Sequence, residues 1–204
     1  YYLAEMGYRP TVFEKHKEPG GMLRYGIPTY KLEKDVIDAE IEIIKELGVT
    51  IKCGVEVGKD ITIADLKKEG YKAFYIAIGC QGGKRPGVAN DEANGTEIAV
   101  DYLSHAYEHQ DERFTGDVVV IGGGNVAIDC ARTASRLGAN KTSMYCLETR
   151  ETMPASKEEI AETLDENISI NNSWGPKEVL VDEKGNVTGI ILKKCLRTID
   201  PETK

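Results

Sequence analysis

The chain has 204 residues, with 34 acidic side chains against 26 basic ones and a formal net charge of −8. That excess of negative charge argues against a nucleic-acid partner and against an anionic membrane surface. No apolar run approaches the roughly 20 residues of a membrane-spanning helix, so none is expected, and no basic start followed by an apolar stretch marks a signal peptide. At 41% hydrophobic and 29% charged the composition is that of an ordinary globular protein, long enough for one or two domains with real cores.

Residues 1–7 read as the end of a helix, with Leu3 and Met6 at apolar spacing and Gly7 as the stop. Residues 11–15 read as a short strand closing on an acid, Glu14. That is the second half of a βαβ unit, whose first strand and glycine loop are expected ahead of residue 1. Residues 18–32 carry so many glycines and prolines that a shaped loop is expected, without helix or central strand. Apolar Met22, Leu23 and Ile27 in such a loop suggest packing against something flat and apolar.

Residues 33–47 form a clear amphipathic pattern, with Val36, Ile37, Ile41, Ile44 and Leu47 on one face and Gly48 ending it. A strand at 49–53, a tight excursion at 54–58 and a short helix opened by Thr62-x-x-Asp65 follow. Residues 72–78 are expected to be another buried strand, closing on Gly79. Glycines and prolines between residues 80 and 96 signal a crossing into a second domain, with the boundary near Asn94. The helix expected at 98–109 carries His105 and His109 one turn apart. No further ligand is signalled in the sequence, so they read as surface histidines rather than a metal site.

The most informative stretch is residues 117–140. Val118 to Ile121 is a β-branched run expected of a fully buried parallel strand. Gly122, Gly123 and Gly124 turn the chain into a helix with Val126, Ala127, Ile128, Ala131, Ala134 and Leu137 on its sheet-facing side. Gly122-x-Gly124-x-x-Ala127 is the dinucleotide-binding fingerprint: a tight turn, close backbone approach to a pyrophosphate, and close helix–strand packing. The helix N-terminus supplies free N–H groups and a favourable dipole for the negative charge. A second strand follows at 142–147. Glu148 then lies 24 positions beyond Gly124, close to where the fingerprint places its ribose ligand.

A helix at 157–164, a strand at 167–173 and a hairpin of 178–181 with 187–194 complete the chain, with Trp174 packing at the hairpin's base. The five cysteines never approach C-x-x-C spacing, which excludes the usual local zinc and iron–sulfur motifs. Cys53, Cys130 and Cys146 read as small core residues, and the scattered set fits a reducing, cytoplasmic setting.

Gly20-Gly21-x-Leu23-x-Tyr25-Gly26-Ile27-Pro28-x-Tyr30-Lys31-Leu32 resembles the flavin-contacting loop of the glutamate synthase small-subunit family of FAD- and NAD(P)-dependent oxidoreductases. The likeness covers nearly the whole chain; this loop and Gly122-Gly123-Gly124-Asn125 are its most specific parts, and Met153-Pro154-Ala155 matches a family turn. The resemblance implies an α/β protein of Rossmann-type three-layer dinucleotide-binding domains, the first incomplete. It assigns 1–94 to a partial FAD-binding domain and 95–204 to an NAD(P)-binding domain.

It further implies hydride transfer from NAD(P)H to FAD, with electrons leaving singly to an iron–sulfur region and a partner such as a large amidotransferase-type subunit. By resemblance, Glu14, Lys15, Gly20, Gly21, Leu23, Gly26, Ile27 and Lys31 serve the FAD, Val57 lies at its adenine and Gly79 against the flavin nucleotide. Gly122, Gly123, Gly124, Asn125, Val126, Ala127 and Glu148 serve the nicotinamide nucleotide. No side chain is named as catalytic acid or base. The family's pyrophosphate loop for FAD, its cysteine-rich region and its last flavin-domain segment find no match here, so a piece of a larger enzyme is expected. Relatives that take NADPH commonly carry two adjacent arginines where this chain has Leu147 and Glu148, which favours NADH, with Arg150 as a counterweight. The alternative is a stand-alone nicotinamide-nucleotide module without turnover.

Overall fold

The computed structural model describes residues 1–198; the last six positions of the second expected domain lie outside the described residues. The chain forms two compact units, one of residues 1–81 and one starting at Gly82. The boundary expected near Asn94 falls inside the second unit.

In the first unit α1 (Tyr2–Glu5) leads to β1 (Thr11–Glu14), which pairs in parallel with β2 (Thr50–Cys53), Thr11 opposite Thr50 and Glu14 opposite Cys53. A parallel pair needs a crossover, and the intervening segment supplies it with α2 (Met22–Tyr25) and α3 (Lys34–Glu46). Ile37 of α3, Val49 and Leu66 of α4 (Ile63–Lys68) are its buried aliphatics. Thr62 caps α4, its Oγ1 accepting the Asp65 amide at 3.1 Å.

Two expectations are corrected here. The glycine-rich loop is not helix-free: Gly20 and Gly21, at φ of 128° and 52°, feed one helical turn, Met22–Tyr25. The residues that turn buries are Arg24 and Tyr25, while Leu23 stays half exposed. Residues 72–78 are not a buried strand. They run without ladder partners, with Tyr75, Ile76 and Ile78 at least 77% exposed, because no described strand lies beside them to complete the pairing.

The second unit opens with α5 (Ala99–Glu108). It continues as β3 (Asp117–Ile121), α6 (Asn125–Arg136), β4 (Lys141–Cys146), α7 (Lys157–Asp165) and β5 (Ser169–Asn172). The three strands form one parallel sheet in the order β3-β4-β5, the βαβαβ arrangement found in each half of a doubly wound sheet. Its core joins Ile128 and Ala131 of α6, Met144 and Cys146 of β4, Met153, Ala155, Ile160 of α7 and Ile168. The central strand β4 is the buried one. β3 is not buried on both faces as its composition suggests: it sits at the edge of this sheet, and Val119 and Ile121 point away from the core that Val120 packs against.

A hairpin of β6 (Trp174–Val181) and β7 (Val187–Lys194) follows, with Lys194 over the Trp174 ring at 5.0 Å. The carboxylate of Asp182 accepts the Lys184 and Asn186 amides and so closes the turn. The segment before α5 docks on this hairpin: the Val179 amide donates to Ala89 O at 3.0 Å, the Asn94 amide to Gly185 O at 3.1 Å and the Val187 amide to Asn94 O at 2.9 Å. That docking is why residues 82–94 group with the second unit. Among the described residues no helix is long and apolar enough to cross a membrane.

Helices α6 and α7 are clamped by charge. Arg132, buried on α6, donates through Nε to Glu166 at 2.9 Å and through Nη1 to Glu162 at 2.5 Å, with Glu159 at 3.7 Å; Arg136 adds a 2.6 Å bond to Glu166. Burial raises the pKa of the Glu166 carboxyl, but hydrogen bonds and charge from Arg136 and Arg132 outweigh it and hold that carboxyl below its usual range. Arg132→Ala is therefore expected to cost about 2–3 kcal/mol in a urea unfolding series, somewhat less than for a wholly buried pair because its glutamates keep some water contact. Since the folded pKa of Glu166 is depressed, its contribution is complete above the usual glutamate range and is lost as the pH falls through the folded value. The acid limb of unfolding should accordingly flatten in Arg132→Ala.

Candidate dinucleotide-binding site

The site is built where β3 turns into α6. The Gly122 amide donates to Tyr145 O at 2.9 Å, tying the turn to the neighbouring strand. At Gly122, with φ of 144°, an added Cβ would stand 3.1 Å from the Ala127 Cβ, so a small residue is needed on both sides. At Gly123 a Cβ would stand 3.0 Å from both Cys146 Cβ and Glu148 Oε2. At Gly124, the N-cap of α6, it would meet nothing within 4 Å. The turn is thus closed against the protein at two glycines and open to a ligand at the third. No side chain caps the first turn of α6, and Asn125 and Val126 are exposed there, leaving the positive end of a 12-residue helix facing outward.

Parallel pairing of β3 with β4 carries the chain on to Cys146, and Glu148 then reaches back across the turn to within van der Waals range of Gly123. Carboxylate and glycine turn, separated in sequence, are adjacent in the fold. Two further contacts brace the arrangement: the Ala155 amide donates to Gly123 O at 3.1 Å, and the Ser156 amide to Asn125 Oδ1 at 3.0 Å. Asn125 was placed among the nucleotide contacts from sequence; its side-chain oxygen serves this brace. The brace itself was not read from the sequence, although Met153-Pro154-Ala155 was the available signal. Beyond Glu148, exposed Leu147 lines a cavity of about 660 Å³ with Gly175, Lys193, Lys194 and Arg197.

The residues expected at FAD lie in the first unit. Glu14 ends β1 with its Oε1 accepting the His16 amide at 2.9 Å, and Lys15 beside it is exposed. Gly20 packs where a Cβ would touch Arg24 and Ile37 at 3.2 Å, and Gly26 where one would collide with Met22. Gly21, Leu23, Ile27 and Lys31 line the same short stretch, Val57 is exposed beside a bridge to Ile61, and Gly79 (φ 69°) sits in the extended run after residue 71. The residue that organises this loop is one sequence reading missed. Buried Arg24 donates to Pro19 O at 2.8 Å and to the Asp38 carboxylate on α3, with Glu18 at 3.8 Å. Its signal was a lone arginine inside an apolar glycine loop. Lys34 closes the other side, donating to Leu23 O and Ile27 O at 3.0 and 2.6 Å.

All five cysteines are free thiols. Burial, then Asp129 and Glu97, push the Cys130 thiol up to about 12, and burial followed by Glu148 raises that of Cys146. Neither offers a thiolate near neutral pH.

The glycine geometry separates two substitutions. Gly123→Ala should destabilise the second unit by about 1–3 kcal/mol through overpacking against Cys146 and Glu148. Gly124→Ala should leave stability within about 0.5 kcal/mol but weaken nicotinamide-nucleotide binding, since its methyl enters the open side of the turn. Urea unfolding and nucleotide titration on both variants test this; equal behaviour of the two would contradict the assignment.

Residues 2–194 match the family Pyridine nucleotide-disulphide oxidoreductase. The chain is 41% identical over 200 residues to the NADP(+)-dependent formate dehydrogenase subunit beta of Moorella thermoacetica, covering 97% of this chain and 28% of that one. It is 39% identical over 178 residues to the NAD-dependent dihydropyrimidine dehydrogenase subunit PreT of Escherichia coli O157:H7 (87% and 42%). To the glutamate synthase [NADPH] small chain of Escherichia coli K12 it is 33% identical over 207 residues (96% and 43%). The chain thus spans less than half the length of these relatives.

Among solved structures, Mycobacterium tuberculosis FprA in complex with NADPH superposes with a TM-score of 0.71 at 15% identity, covering 92% of this chain and 60% of FprA. Thioredoxin reductase of T. acidophilum gives 0.66 at 16% identity, covering 96% and 66%. At these identities the two establish the fold, which is the Rossmann-type α/β architecture read from the glycine turn. Matched along nearly its whole length, the chain belongs to the pyridine nucleotide-disulphide oxidoreductase family, and the resemblance to the glutamate synthase small subunit holds within it.

Proposed function

We propose that this chain is part of a flavoprotein oxidoreductase that passes a hydride from a nicotinamide nucleotide to FAD, for onward delivery to iron–sulfur clusters. The observation that carries the reading is the Glu148 carboxylate lying across an uncapped glycine turn at the N-terminus of α6. The turn and helix end would hold the pyrophosphate, and Glu148 would accept hydrogen bonds from a ribose diol. Glu14, Lys15, the Gly20–Lys31 loop, Val57 and Gly79 would hold part of the FAD. When bound, the two coenzymes would supply the hydride chemistry, and the chain's part would be to bind and orient them and to exclude water. Accordingly no side chain is assigned as acid or base. An iron–sulfur region, a partner subunit of amidotransferase type and a cytoplasmic setting belong to the same proposal.

A second reading rests on a specific contrast between the units. Among residues 1–81 no glycine turn joins a strand to a long helix, whereas the second unit has the full set of strand, turn, helix and acid. On that reading the chain is a nicotinamide-nucleotide binding module without turnover. Purified chain that is yellow and releases stoichiometric flavin on denaturation supports the first reading with an intact flavin site. Because the FAD pyrophosphate loop finds no match here, the chain is expected to retain no flavin, and colourless chain that binds NADH favours the second reading only if added FAD also fails to bind.

Glu148 also sets the coenzyme. A carboxylate accepts from the free hydroxyls of NADH but repels a 2′-phosphate, and exposed Leu147 offers that phosphate nothing. The difference should be about 2–4 kcal/mol, or roughly 30- to 1000-fold in favour of NADH. Opposing it are Arg150 and the cations Lys193, Lys194 and Arg197 around the neighbouring cavity. Titrating both coenzymes into wild type and Glu148→Arg decides the matter. NADH should bind tighter to wild type and the order should reverse in the variant; tighter NADPH binding by wild type would show that the neighbouring cations prevail.

A further inference from the structure

Away from the nucleotide turn, the end of α5 brings together three side chains that sequence spacing had left as two surface histidines. His105 lies on the last turn of α5 and His109 caps it. The chain then folds back, with the Glu112 amide donating to His109 O at 3.0 Å and Arg113 Nη1 bonding Gln110 O and Glu112 O at 2.9 and 3.0 Å. This turn swings the Glu112 carboxylate over both imidazoles. Oε2 stands 3.8 Å from His105 Nε2 and Oε1 3.7 Å from His109 Nδ1, with ring centroids 4.3 Å apart. One donor atom from each of the three residues lies within 4.8 Å of the other two.

We propose that His105, His109 and Glu112 form a surface site for a divalent first-row transition ion of the Zn²⁺, Co²⁺ or Ni²⁺ type. The separations carry the argument. At 3.7 and 3.8 Å the nitrogen–oxygen gaps are too long for hydrogen bonds, which end near 3.2 Å. Donors held about 2.0–2.2 Å from one tetrahedral ion stand roughly 3.3–3.5 Å apart. Closing the set around an ion takes a few tenths of an ångström at the two nitrogen–oxygen gaps and at most about 1.5 Å between the two imidazole nitrogens, a movement that three half-exposed side chains can make. Two imidazoles with one carboxylate suit these borderline ions; Mg²⁺ and Ca²⁺ prefer all-oxygen sets, and Cu⁺ prefers sulfur. Three protein donors leave a fourth position for water. An ion there cross-links α5 to the segment leading into β3, so it stabilises the second unit in proportion to its binding to the folded form.

The inference rests on no part of the coenzyme reading. Its test is calorimetric titration of Zn²⁺ and Co²⁺ into the chain in chelator-free buffer, with thermal melts alongside. The expected result is one equivalent bound, a raised melting temperature, and a Co²⁺ spectrum without the charge-transfer band of thiolate ligation. The double variant His105→Ala/His109→Ala and the single Glu112→Ala should each weaken binding by at least about 10–100-fold, the loss seen for outer-shell partners alone. Cys80→Ser, which removes the exposed thiol, should bind as wild type does. Absence of saturable binding, undiminished affinity in the double histidine variant, or a thiolate band in the Co²⁺ spectrum would overturn the proposal.

Discussion

The second unit depends on a place with no room. At Gly123 the backbone of the β3–α6 turn lies against Cys146 and the Glu148 carboxylate so closely that one methyl group would have to displace something. This contact sets three things together. It fixes how deeply α6 sits on the sheet, it brings the residues after β4 up to the turn, and it leaves Gly124 facing outward. The amide of Ala155 then seals Gly123 from the other side. A ligand site and a packed core are usually described apart, but here Cys146 and Ala155 belong to both.

The other end of α6 is held by different physics. Arg132 and Arg136 reach glutamates on α7 and at its C-cap, Glu166, so the helix is anchored by charge at its C-terminal half and by close packing at its N-terminus. A buried guanidinium shared among carboxylates is costly to desolvate, and it is tolerated when every donor is matched. The result is directional. A helix pinned at both ends presents its N-terminal amides without wobble, which is what binding an anion through backbone groups requires. In the first unit Arg24 has the analogous part, gathering Pro19, Glu18 and Asp38 so that the glycine loop holds one shape.

Much of this was legible in the residues, and the misses share a cause. Local patterns were reliable where one element determines itself: the 3.6-residue periodicity of α3, the strand–glycine–helix signature of β3 and α6, and the turn that joins the β6–β7 hairpin, whose first strand begins four residues earlier than expected, at Trp174. Failures came where burial depends on a neighbour. Residues 72–78 and Val119 have strand composition, but composition states what a residue would bury, not whether another strand or helix arrives to cover it. Arg24 fails the opposite way, a charged residue that burial patterns assign to solvent and that ion pairing takes inside. The approach of Glu148 to the glycine turn was legible because the fingerprint gives that acid a distance in sequence. The Ala155 and Ser156 brace has no such rule and emerged only with the fold.

The docking of residues 89–94 on the β6–β7 hairpin has a consequence for how the chain reaches its folded state. Ala89 and Asn90 meet Val179, about 90 positions later, and Asn94 meets Gly185 and Val187. Closing a loop of that length carries an entropic penalty that local turns avoid, and contacts of such high sequence separation slow folding. On a ribosome the early segment emerges well before its platform exists, since the hairpin is among the last described parts to be made. The sheet of β3, β4 and β5 can assemble in order as it appears, but residues 82–96 must wait for the far end. Translation therefore exposes this stretch for several seconds at ordinary elongation speeds of about 5–20 residues per second.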